Sequence, residues 1–286
     1  MNKKRQKNSK LRFDEKLILN RWLLRLFEVN SFEELCDSLK DPLYEGVDEN
    51  NISNLYHILT TGRMFDRDRL SRDMLLLYDE NIQKHTRKIS ERRPEKIKWK
   101  YFQYLSLLFT EIYLDWYFNR PEKLVDELNA EIQDFNREIN RADVDKLGAV
   151  VLNDLNKLAY WNATGSGKTL IMHVNILQYD HYLSKHGKTS ELNRKILLTP
   201  NEGLSQQHFD EFKLSGIQAE LFSKNGASGS LFAGHEIEII AIHKLRDETG
   251  DKTIAVEAFE GNNLVMVDEG HRGSSGKDVG LWMERR

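Results

Sequence analysis

The stretch NATGSGKTLIMH, from Asn162 to His173, constrains this chain more than any other. Gly165 and Gly167 admit backbone angles and close approaches that a side chain obstructs, so successive amide N–H groups can converge on one anion. A helix opening just after them adds the partial positive charge of its N-terminus. The run KLAYW precedes the loop and the amphipathic LIMHVNILQY follows it. That strand, glycine loop and helix order is the context in which such a loop holds phosphate. Thr164, Gly165, Ser166, Gly167, Lys168 and Thr169 are therefore candidate nucleotide contacts, with Lys168 reaching the β and γ phosphates and the Thr169 hydroxyl a ligand for Mg²⁺. A bare match of this kind is about as often an ordinary strand-to-helix turn with a solvated lysine, so a second motif is required.

The second motif is NLVMVDEGH. Its apolar run delivers Asp268 and Glu269 to the expected carboxyl end of a strand, the side of an open α/β sheet where ligands bind. Asp268 can hold the metal while Glu269 orients or deprotonates the attacking water. Alone, an acid pair after an apolar run is more often a helix N-cap with a solvated neighbour. Two motifs of the right kind in the right order make a nucleoside triphosphate site the reading.

The two halves of the chain have different patterns. Up to Ala142 the sequence reads as helices: SFEEL offers Ser31 as N-cap with Glu34 three residues on, and Pro121 suits a first helical turn. Leu70–Ser90 and Ile97–Phe118 have helical spacing. The segment from Trp99 to Phe118 is apolar on nearly every face, so it is expected at the centre of that helical domain. From Asp143 the short runs KLAYW, KILLT, IEIIAI and NLVMVD, separated by helical patterns such as Leu170–Leu183, predict a parallel sheet buried on both faces. The expected organisation is an all-α domain over 1–142 and an α/β domain over 143–286.

Composition excludes several classes. Of the 286 residues, 40% are hydrophobic and 30% charged, with only four prolines, which describes a soluble globular protein and not a disordered one. The net charge of -3 argues against a global basic field, so any nucleic-acid binding must be local. The basic start, MNKKRQKNSK, reads as a solvated tail. Cys36 is the single cysteine, which rules out an internal disulfide and a multi-cysteine zinc site and suits the cytoplasm. The most apolar segment carries Gln103, Glu111 and Asp115, so it is read as a buried helix and no membrane is expected as a partner. His173, His208 and His243 share no metal-ligand spacing.

With both motifs in place, the sequence resembles the first motor domain of superfamily 2 helicases and translocases, and among them the DEAD/DEAH-type motor subunits of restriction systems, the type III restriction enzyme helicase subunit included. ATGSGKT is similar to motif I, LTPNEGLSQQH to motif Ia, IIAIHKL to the strand end before motif II, and DEGH to motif II. The resemblance implies a RecA-like P-loop NTPase fold, ATP and Mg²⁺ as cofactors, and hydrolysis served by Lys168, Thr169, Asp268 and Glu269. His271, by the same resemblance, couples the nucleotide site to the rest of the motor. Pro200, Asn201, Glu202 and Gln207 would lie along a nucleic-acid strand, where loop N–H groups and short polar side chains position a backbone without reading its sequence. Asn162 and Gly270 depart from the commonest forms of the two motifs, and no glutamine-bearing adenine motif lies between Asp143 and Tyr160.

The resemblance further implies double-stranded DNA as partner, together with the remainder of the motor protein and a methyltransferase or nuclease subunit. A complete motor of this kind continues into motif III and a second RecA-like domain. The chain is accordingly expected to be an N-terminal part with an incomplete parallel sheet, inactive by itself in hydrolysis. An ATP-binding scaffold module without turnover is the other reading.

Overall fold

Helices α1 (Ile18–Leu26), α2 (Phe32–Cys36), α3 (Asn54–Thr60), α4 (Arg72–Ser90), α5 (Tyr101–Asn119) and α6 (Pro121–Glu138) follow one another in the first half of the computed structural model. The structure describes residues 16–62, 65, 68–138, 146–222, 237–246, 254–255 and 260–269. The basic start, the change of pattern at residues 142 and 143, and His271 lie outside the described residues. Two compact units divide the chain, residues 1–83 with 98–166 and residues 84–97 with 167–286.

In the first unit α5 is apolar all round, and it buries Tyr104, Leu105, Leu108, Ile112 and Trp116. Trp116 meets Trp22 of α1 edge-on, with ring centroids 5.0 Å apart. Arg21 and Arg25, one turn apart on α1, reach Glu138 and Asp134 of α6 at 2.9 and 2.8 Å. Asp79 on α4 is fully buried and accepts hydrogen bonds from the Ser53 N–H at 2.9 Å and the Tyr104 hydroxyl at 2.7 Å. Burial pushes its carboxyl above the usual range, which those two donors oppose. The capping signal at α2 is met differently from the expected box. The Ser31 hydroxyl accepts from the Glu34 N–H, but the Glu34 carboxylate takes the N–H of Asn30.

The run KLAYW forms no strand, against expectation. After a 3-10 turn at Leu152–Asn156 the chain from Lys157 to Ala163 is irregular. Its leading segment is held by side chains of α5 and α6. Asn129 donates to the Val150 carbonyl and accepts the Val150 N–H, at 3.0 and 2.9 Å. Asn136, seven residues on and so on the same helix face, does the same with Leu147 at 2.9 Å each way. Tyr113 donates to the Leu155 carbonyl, and the Thr110 and Tyr160 hydroxyls are 2.9 Å apart. The backbone groups of Leu147 and Val150 and the carbonyl of Leu155, just ahead of the run, are thus satisfied by amide and hydroxyl side chains.

The second unit is α/β. It comprises α7 (Lys168–Lys185), β1 (Arg194–Thr199), α8 (Glu202–Leu214), β2 (Ala219–Leu221), β3 (Ile237–Ala241), a two-residue parallel pair β4 (Leu245–Arg246) and β5 (Ile254–Ala255), and β6 (Asn263–Val267). Four strands form one parallel sheet in the order β2-β3-β1-β6. The faces alternate with the pleat: Ile196, Leu198, Ile240 and Ile242 on one side, Leu197, Ile237 and Ile239 on the other with Ile176 of α7 and Phe212 of α8. β1 and β3 are buried almost throughout, as the sequence predicts. β6 ends the sheet among the described residues and is half-exposed, at Val265 and Val267 above all. Residues 84–97 join this unit through Arg93, which donates to Glu211 at 2.8 Å and to the Ser215 hydroxyl at 2.9 Å.

Glu238 on β3 is buried, with Glu220 in register beside it and Arg194 3.9 Å away. Burial pushes its carboxyl up to about 7, with Arg194 opposing the shift. The folded state therefore holds this proton over a range in which the unfolded chain, at about 4.5, releases it. The stability that Glu238 contributes is complete below about pH 4.5 and is lost as pH rises through about 7. Glu238→Gln should remove that slope and stabilise the unit at pH 8 by on the order of 2–3 kcal/mol. Urea unfolding of both proteins at pH 5.5 and pH 8 checks it.

Candidate nucleotide site

The glycine loop runs from one unit into the other between Ser166 and Gly167. In the first unit the Ser166 N–H returns to the Ala163 carbonyl at 3.2 Å, closing a turn. Gly165 within it has φ +75, and a Cβ there would meet nothing within 4 Å. Glycine is required there by backbone angle and not by space. Gln103, in the first turn of α5, donates to the Ser166 carbonyl at 2.8 Å and fixes the turn from the helical side. Thr164 is exposed and Ser166 buried.

In the second unit Gly167 is the N-cap of α7, left-handed at φ 81, and its carbonyl accepts from the N–H groups of Leu170 and Ile171. With no side chain to cap them, the first N–H groups of α7 are available to an anion. Lys168 and Thr169 open the helix, both half-buried.

The end of β6 lies at the same place. Register pairs Leu198 of β1 with Val267, and the ladder continues one step as the Asp268 N–H donates to the Leu198 carbonyl at 3.0 Å. Glu269 then turns left-handed, φ 51, a conformation a non-glycine residue adopts at some cost. Its carboxylate stands 3.5 Å from the Lys168 ammonium. Asp268 accepts a hydrogen bond from Nε2 of His208 on α8 at 2.9 Å, a carboxylate being able only to accept. His208 holds the Asp268 carboxyl below the usual range, against burial and with help from Lys168. Lys168, Asp268 and Glu269, far apart in sequence, are thus gathered within one unit.

The other candidate residues fall elsewhere. Asn201 caps α8, its side chain accepting from the Leu204 N–H at 3.0 Å, so an asparagine there already has a structural use. Glu202 pairs with Lys244 at 3.0 Å, Pro200 precedes the cap, and Gln207 is exposed on α8. Sequence reasoning missed His208. Its contact depends on β1 and β6 being neighbours, which no local pattern in α8 encodes. Gln103 was missed because its acceptor, the Ser166 carbonyl, is distant in sequence.

No group of three or more His, Cys, Asp or Glu able to hold a metal occurs among the described residues. The donors at hand, the Thr169 hydroxyl and the Asp268 carboxylate, are too few to retain a hard cation alone. They suit one that arrives with phosphate oxygens, as Mg²⁺ does. Among the described residues no helix is long and apolar enough to cross a membrane.

The chain was compared with known proteins. Comparisons with curated proteins and with solved structures return no match. A family model described as type III restriction enzyme, res subunit, matches residues 122–283, more than half the chain, from the first turn of α6 past the acid pair. That match covers the glycine loop, the parallel sheet and both acids, and the chain belongs to the type III restriction enzyme res subunit family, a helicase-like family of ATP-dependent motors with a RecA-like fold.

Proposed function

We propose that this chain supplies the nucleotide-binding part of an ATP-dependent DNA helicase or translocase, coupling ATP hydrolysis to movement on DNA within a restriction or phage-defence system. The observation that carries the reading is the meeting of Lys168, at the head of α7, with Asp268 and Glu269 at the end of β6. In this reading residues 143–286 are the first RecA-like domain, and 1–142 a helical domain that docks a partner subunit. Double-stranded DNA, the remainder of the motor and a nuclease or methyltransferase subunit are the partners, in the cytoplasm.

The roles follow from the chemistry. Thr164 to Thr169 cradle the triphosphate with backbone N–H groups, and Lys168 neutralises its β and γ oxygens. Thr169 and Asp268 would hold the metal, which when bound would draw charge from the γ-phosphate. Glu269 orients a water for in-line attack and accepts its proton. For Lys168 to reach phosphate it must leave Glu269, so nucleotide binding exchanges a partly exposed ion pair for a stronger one and frees the base. His271 passes the state of the site onward, and Pro200, Asn201, Glu202 and Gln207 line the strand path.

ATP hydrolysis by the complete motor that carries this chain, measured with and without double-stranded DNA, tests this reading, alongside DNA binding at several salt concentrations. Turnover that DNA stimulates and binding that weakens steeply with salt are the expected results. Binding of Mg·ATP with no turnover on any DNA favours the scaffold alternative. Absence of DNA binding removes the motor assignment.

A further inference from the structure

We infer that His208 is a positioning residue for Asp268, tying helix α8 to the metal-binding carboxylate; the inference rests on the nucleotide-site reading above. Asp268 is anchored at two points of the β1–α8 connection. Its backbone N–H donates to the Leu198 carbonyl on β1, and its side chain accepts from the His208 ring on α8. Between those anchors run Pro200, Asn201 and Glu202, and the connection is closed on itself by the 2.6 Å contact of the Thr199 and Ser205 hydroxyls.

The His208 ring is buried, and its Nδ1 has no hydrogen-bond partner among the described residues, so Asp268 is the partner there that orients it. Nε2 must carry the proton it gives to the carboxylate, which fixes both tautomer and ring plane. The far end of α8 is equally constrained. Phe212 stacks on His173 of α7 at 4.2 Å, and His173 Nδ1 lies 2.8 Å from the Ser215 hydroxyl. The helix that begins with Lys168 and the helix that carries His208 are therefore locked together. A displacement of α8 moves the Asp268 side chain while its backbone stays in the ladder.

A carboxylate oriented before the metal arrives loses less freedom on binding it. Removing such an orienting hydrogen bond costs about 10- to 100-fold in metal affinity. The same bond makes the loop before α8 and the metal site mutually sensitive, since coupling between two sites is reciprocal.

The test separates ring packing from hydrogen bonding, using the full chain and a methylanthraniloyl-labelled ATP titrated in excess EDTA and in saturating Mg²⁺. His208→Phe keeps a ring and loses the donor. Its affinity in EDTA should stay within about 2-fold of the unsubstituted chain, while the tightening produced by Mg²⁺ falls by about 10-fold. His208→Gln loses the ring and keeps an N–H donor, and it should retain most of that tightening. Full Mg²⁺ tightening in the Phe variant overturns the positioning role, as does equal loss in both variants. An unsubstituted chain that binds no nucleotide overturns instead the reading of the site on which the role depends.

Discussion

Lys168→Ala is expected to weaken Mg·ATP binding by about 10- to 100-fold, the loss of one or two charge-assisted hydrogen bonds to phosphate. It should leave folding almost untouched. The ion pair of the ammonium with Glu269 is partly exposed, with side chains 33% and 20% exposed, and such pairs contribute about 1 kcal/mol or less. Glu269→Gln should move the two quantities apart in another way. The lysine is released from its partner, so binding should be as tight or tighter, while hydrolysis, lacking a base, should fall by about 100-fold or more. Calorimetric titration with Mg·ATP measures the first effect, and phosphate release under conditions where the unsubstituted protein turns over measures the second. A Lys168→Ala protein that binds Mg·ATP normally would place the triphosphate somewhere other than the loop.

The largest stability effect is expected at Trp116. Its ring is fully buried, packs edge-on against Trp22 at an interplanar angle of 81°, and carries the Arg120 guanidinium 3.8 Å above it. Trp116→Ala should destabilise the protein by about 3–5 kcal/mol through lost contacts and the cavity left behind. Trp116→Phe should cost far less. The indole N–H is buried without a hydrogen-bond partner among the described residues, so phenylalanine removes an unsatisfied donor together with part of the ring. Chemical denaturation followed by circular dichroism separates the two variants. Equal losses would mean that the indole N–H makes a hydrogen bond that phenylalanine cannot replace.

What could be read from the sequence was what depends on near neighbours. Gly165 and Gly167 announce left-handed backbone by having no side chain, and both are left-handed in the structure. The unbroken apolarity of Tyr101–Phe118 announces a central helix, and α5 is one. KILLT and IEIIAI pair in the predicted parallel sense because a strand apolar on both faces needs cover on both. KLAYW failed for a complementary reason. Its composition permits a strand, but a strand is made by the partner that pairs with it, and the segment leading into it is held by Asn129, Asn136 and Tyr113 instead of by a neighbouring strand. His208 failed likewise: an isolated histidine on an amphipathic helix shows nothing of the carboxylate that a distant strand will bring to it.

Asn129 and Asn136 set two demands on one helix against each other. Asparagine is a poor helix former, so α6 carries two residues that alanine would improve upon by roughly 0.5 kcal/mol each. An amide side chain, however, gives and takes as a peptide group does, and each asparagine offers the passing chain a single rung. Sequence drift toward a better helix would cut loose the lead-in to the glycine loop, and so the weaker helix is the one that keeps its cargo.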